Sequence, residues 1–108
     1  MRRWGAVIIV AIIGLAGCAG HFYRIKGDTL YLYVRKANVR EVYFASSLED
    51  FKLQAARKID SETWRVSLPA NREFKYFYIA DNEVFLPECR FTETDDFGSR
   101  NCIFIPGT

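Results

Sequence analysis

Between residues 29 and 105 apolar side chains recur at every second position, in short runs broken by turn residues. A period of two restricts a chain to strands. Leu30, Leu32 and Val34 alternate with Tyr31, Tyr33 and Arg35; Lys36-Ala37-Asn38 breaks the run, and residues 39–45 resume it. Residues 63–68 alternate cleanly, with Trp64, Val66 and Leu68 on one side, and end at Pro69, which cannot donate to a ladder. In residues 73–80, Phe74, Tyr76 and Tyr78 share one face while Lys75, Phe77 and Ile79 share the other, which predicts an interior strand. Asp81-Asn82 is a hairpin-type turn leading into Val84-Phe85-Leu86; Pro87 stops that strand, residues 90–100 form a polar loop, and residues 101–105 close the domain. Residues 52–58 have fair helix propensity but are too few for a stable helix, so an irregular strand is expected there. Six or seven short strands without a convincing helix predict an all-β sandwich of about seven strands.

The first 18 residues obey a different rule. Arg2 and Arg3 precede an apolar run over residues 4–16 that closes on Leu15-Ala16-Gly17-Cys18. A positive start, a short apolar stretch, small residues and a cleavage point make up a secretory signal peptide. The alternative, a transmembrane helix, fits poorly because the run falls short of the ~20 residues needed to span. The ending Leu-Ala-Gly-Cys is similar to a bacterial lipobox, in which the Cys is lipidated on its thiol, the bond before it is cut and the new amine is acylated. That resemblance implies a leader over residues 1–17, a lipidated Cys18 with a short tether over 18–28, and a domain over 29–105. It also implies a membrane partner through the anchor, in a cell envelope and facing the periplasm or exterior. Ala19 stands where an Asp would resemble an inner-membrane retention signal, so the outer membrane is favoured. Eight tether residues reach about 26 Å, which keeps the domain near the membrane, and His21 within them reads as solvated.

Removing the leader takes 17 of the 108 residues and leaves 91, with 13 Lys and Arg against 13 Asp and Glu. The excess of +2 therefore belongs to the leader, and the balanced remainder gives no ground for a nucleic-acid partner or for a polybasic membrane patch. With Cys18 assigned to lipid, Cys89 and Cys102 remain as an even pair in an oxidising compartment, which favours a disulfide stabilising by ~3 kcal/mol. Two free thiols are the alternative; metal binding is less favoured because His21, the only histidine, is remote in sequence. No nucleophile with a base in reach can be assembled from residues 29–105, so no enzyme activity, cofactor or metal is expected. Glu93, Asp95 and Asp96 near Gly98 lack the Asp-x-Asp-x-Asp-Gly order of a calcium loop and read as a solvated turn. Tyr31, Tyr33 and Tyr43 fall opposite the most apolar positions, either as an exposed aromatic surface or as hydroxyls reaching solvent.

Four stretches in register resemble the glycogen-binding domain of AMP-activated protein kinase β subunits and the related family 48 carbohydrate-binding modules. The run from Arg40-Glu41-Val42-Tyr43-Phe44 through Asp50-Phe51 resembles their opening strand and loop. Glu62-Thr63-Trp64-Arg65-Val66-Ser67-Leu68-Pro69 is similar to their strand with a core Trp and a Leu-Pro ending. Residues 76–82 resemble their aromatic strand, and Asp95-Asp96-Phe97-Gly98-Ser99-Arg100-Asn101-Cys102 resembles their last loop. The resemblance implies an early-set immunoglobulin-like sandwich and a glycan partner. In that family a glucan helix lies on two Trp rings with a Lys and an Asn. Here the first Trp position falls on Phe51, the second on Val84 with Phe85 beside it, the Lys near Phe77 and the Asn on Asn101. Phe51, Phe85 and Asn101 are thus the expected carbohydrate-binding residues of a weakened site. The alternative is a structural or protein-interaction lipoprotein of the envelope that kept the sandwich and lost sugar binding.

Overall fold

The computed structural model describes residues 20–107, so the expected leader and Cys18 lie outside them. The described chain is an all-β sandwich of two antiparallel sheets and ten strands. In chain order these are β1 (His21–Lys26), β2 (Thr29–Arg35), β3 (Val42–Ser46), β4 (Gln54–Ala55) and β5 (Arg57–Lys58). They continue as β6 (Thr63–Pro69), β7 (Phe74–Ala80), β8 (Glu83–Phe85), β9 (Thr92–Thr94) and β10 (Arg100–Phe104). One sheet has the order β1-β2-β6-β5. The other runs β9-β10-β7-β3-β4, with β8 also pairing β7.

The alternation seen in the sequence builds the core. Leu30, Leu32, Val34, Trp64, Val66 and Leu68 meet Val42, Phe44, Phe74, Tyr76 and Tyr78 from the opposite sheet. Phe44 lies 5.4 Å from the rings of Tyr76 and Tyr78 and 6.4 Å from Phe74. Cys89 and Cys102 form a disulfide, Cα–Cα 5.7 Å, that fastens the 86–91 connection to β10. Among the described residues, the core cluster, both sheets and the disulfide belong to one continuous segment.

Three short stretches account for the rise from seven expected strands to ten. Residues 21–26, expected within the tether, form the edge strand β1, paired with β2 from His21↔Val34 to Lys26↔Thr29. Gly27, at φ 61°, sits in the two-residue turn that a tight hairpin requires. Pattern reading missed β1 because an edge strand buries little: its last four residues are exposed. The irregular strand over 52–58 is two strands in different sheets, β4 on β3 and β5 on β6. The Ala56 N–H donates to the Val42 carbonyl at 2.8 Å where the chain crosses between the sheets. Part of the expected polar loop forms β9 against β10.

Asp81-Asn82 is the expected hairpin turn, both residues at positive φ (46° and 71°). The Asp81 carboxylate also accepts the Arg40 and Glu41 backbone N–H groups at 2.9 to 3.1 Å, tying the β7–β8 turn to the entry of β3.

Candidate functional site

Directly opposed residues in an antiparallel ladder point to the same face, so register sorts the outward side chains of the six-stranded sheet. Tyr43 pairs with Ile79, Ala45 with Phe77, Ile79 with Val84 and Lys75 with Ile103, all facing away from the core. Phe51 reaches this face from the loop after the 3-10 turn Ser47–Glu49, its N–H donating to the Ser46 carbonyl at 2.7 Å. The Phe51 ring lies nearly parallel to Phe77, 13° between planes and 5.9 Å between centroids. This offset arrangement leaves part of each ring face uncovered.

Phe51 is 40% exposed, and its backbone is left-handed, φ 61°, directly after Asp50 at φ 53°. A bulky residue in that region is a genuine outlier, disfavoured by about 1–2 kcal/mol. The chain holds strain to present this ring. Leu53 and Val84 (71% exposed) widen the apolar surface. The Lys75–Glu93 ion pair, 2.9 Å, and the Tyr43 hydroxyl donating to Glu41 at 3.2 Å mark its polar margin.

Asn101 lies one residue beyond the Cys102↔Tyr76 pair, level with Phe77 and on the same outward side. It is 6% exposed, and its side-chain amide makes no hydrogen bond among the described residues, so it sets a buried polar group on the strand next to Phe77. Phe85 goes elsewhere. Pairing with Tyr78 turns it to the inner face, where it is half-buried beneath the Lys36 ammonium, 4.5 Å from the ring centroid. Of the three expected residues, then, Phe51 and Asn101 share a face and Phe85 does not join them. Its place beside Phe51 is taken by Phe77. The alternation already set Phe77 opposite the core-facing Tyr76 and Tyr78, which is the signal that could have found it.

The acidic run divides its tasks. Glu93 pairs with Lys75, while Asp95 accepts the N–H groups of Phe97 and Ser99 at 2.9 Å and shapes the β9–β10 turn. No group of three or more His, Cys, Asp or Glu among the described residues is placed to hold a metal ion. No helix among them is long and apolar enough to cross a membrane.

His21 is not solvated as expected. Its ring sits between the sheets, with centroids 5.9 Å from Tyr76 and 5.8 Å from Tyr78, and Nε2 is hydrogen-bonded to the Tyr78 hydroxyl at 3.2 Å. Burial lowers its pKa to about 4, and burial likewise raises those of Tyr76 and Tyr78. His21 also borders an open cleft of about 330 Å³ between β1 and the 88–91 connection.

No protein-family model matches this sequence, and comparison with curated proteins finds no match.

Proposed function

We propose that the protein is a membrane-anchored, non-catalytic lipoprotein whose sandwich resembles a family 48 carbohydrate-binding module and weakly binds an envelope or α-glucan-type glycan. The binding surface is the outer face of the six-stranded sheet. The observation that carries this reading is Phe51, held at φ 61° with its ring parallel to Phe77, whose neighbour on the next strand is the unpartnered Asn101 amide. Aromatic faces suit the apolar faces of sugar rings, and a buried amide without a partner gains from a ligand hydroxyl. The anchor, and with it a location in the cell envelope, is supported by the charge, length and Leu-Ala-Gly-Cys ending of the first 18 residues.

Titration of residues 19–108 with α-glucans and peptidoglycan fragments, followed by NMR, tests the sugar reading. Saturable shifts at Phe51, Phe77 and Asn101 are expected, with affinity falling about tenfold in Phe51→Ala. Absence of shifts with every glycan overturns it. Mass analysis of the membrane-extracted protein tests the anchor through acyl groups on Cys18. A protein-docking role is the second reading, favoured by the extension of the apolar surface to Leu53 and Val84.

A further inference from the structure

The other outer face of the sandwich is chemically different. On the four-stranded sheet Leu30, Leu32 and Val34 face the core, so Tyr31, Tyr33 and Arg35 face out, and the ladders place Arg24 opposite Tyr31 and Lys26 opposite Thr29. Arg65 faces out opposite Tyr33, with Arg57 directly opposite Arg65. Arg24, Lys26, Arg35, Arg57 and Arg65 therefore share one face, and none of its outward strand positions carries Asp or Glu. No ion pair among the described residues engages any of the five. Acids stand only at the ends of the face: Asp28 in one turn, and Asp60 and Glu62 in another. Asp60 is held below the usual carboxyl range mainly by the Glu62 N–H, and in smaller part by Arg35.

The Arg57↔Arg65 pair is the telling feature, because like charges directly opposed across strands are destabilising. A counter-anion removes that repulsion. Aromatic rings lie among the charges: Phe22 stacks on Tyr33, 4.8 Å and 6°, and the Arg65 guanidinium sits 5.1 Å from the Tyr31 centroid. Rings with a polar tip, interleaved with Arg and Lys on one sheet face, suit the headgroup layer of a bilayer. Cys18 lies three residues before His21, the first residue of β1 and of this sheet's edge, so three residues of chain, with a maximum reach of about 10 Å, join the two.

We infer that the outer face of the four-stranded sheet docks on anionic phospholipid headgroups. The choice of a bilayer over other polyanions rests on the lipid anchor proposed at Cys18. The basic face lies against the membrane and the Phe51–Phe77 face is turned away from it.

Residues 19–108, which lack Cys18, are mixed with vesicles of phosphatidylcholine, with and without phosphatidylglycerol, and sedimented. Binding is expected only to vesicles containing phosphatidylglycerol and is lost when added salt screens the charges. Arg57→Glu converts the like-charge pair into an opposite-charge pair, so it leaves the urea midpoint unchanged or higher while weakening vesicle binding about fivefold. Arg24→Glu with Lys26→Glu weakens it by more than tenfold. Phe51→Ala has no effect on it. Equal partition to both vesicle types, indifference to the charge reversals, or binding to soluble polyphosphate without binding to the vesicles would each overturn the inference. Because the tested chain has no Cys18, failure here is separate from failure to find acyl groups on the full protein.

Discussion

The outer faces of the two sheets are made by the same alternation and carry opposite chemistry. On the six-stranded sheet the outward positions hold Tyr43, Phe77, Ile79 and Val84, overlaid by Phe51. On the four-stranded sheet they hold Arg24, Lys26, Arg35, Arg57 and Arg65 among aromatic rings. Each face also retains a local cost. On the first it is a left-handed Phe51; on the second it is an Arg opposed to an Arg. A fold selected for stability alone would relax both, and these two costs are the features on which the proposed glycan and headgroup surfaces rest.

The comparison assumes one shared core, and the largest expected effect tests that assumption. Phe44→Ala removes a ring packed on Phe74, Tyr76 and Tyr78, and should cost about 3–5 kcal/mol in urea unfolding. Glycan and vesicle binding should then be lost together at one denaturant midpoint. Separate midpoints would mean that the sheets are not one cooperative unit.

Two effects of about 3 kcal/mol distinguish the sheets. Cys89→Ala with Cys102→Ala frees β10 from the 86–91 connection and is expected to lower stability by that amount. Amide exchange should quicken first in β10 and β9, on the six-stranded side. His21 lies at the seam between the sheets, and burial lowers its pKa from 6.5 to about 4. Between those values the unfolded chain takes up a proton that the folded chain excludes, so stability falls as pH falls through that window and levels off below about 4. The full loss is ~3 kcal/mol. Urea midpoints at a series of pH values should show this decline in the native protein and a shallower one in His21→Phe.

The smallest effect is the most specific to the proposed site. With φ at 61°, position 51 suits glycine better than any residue with a Cβ, so Phe51→Gly should be more stable than Phe51→Ala by about 1 kcal/mol. Both variants should show the same fall of about tenfold in glycan affinity. Equal stabilities would remove the argument from strain.

Much of the fold was legible because buried strands declare themselves. Leu30, Leu32 and Val34, or Phe74, Tyr76 and Tyr78, can satisfy that spacing only as one face of a strand. The Cys89–Cys102 bridge followed from parity, and the Asp81-Asn82 hairpin from residues that tolerate positive φ. β1 was hidden because its stability comes from backbone pairing with β2 rather than from an apolar stripe of its own. The site was half legible. Resemblance led to Phe51 and Asn101, but Phe85 follows a two-residue turn whose register with β7 directs it inward.

By itself the sequence determined the class of fold, because period-two burial admits no other local geometry, and it pointed to the cross-link, because Cys89 and Cys102 are the two cysteines of residues 29–105. Tertiary structure decided what the surfaces are. The side-chain charges of residues 18–108 sum to zero in any order along the sequence. Only strand register collects five cations on one face, and only the loop that follows the 3-10 turn after β3 sets Phe51 over Phe77 on the other. Net charge is a sum over residues, whereas a binding face depends on which residues folding makes neighbours.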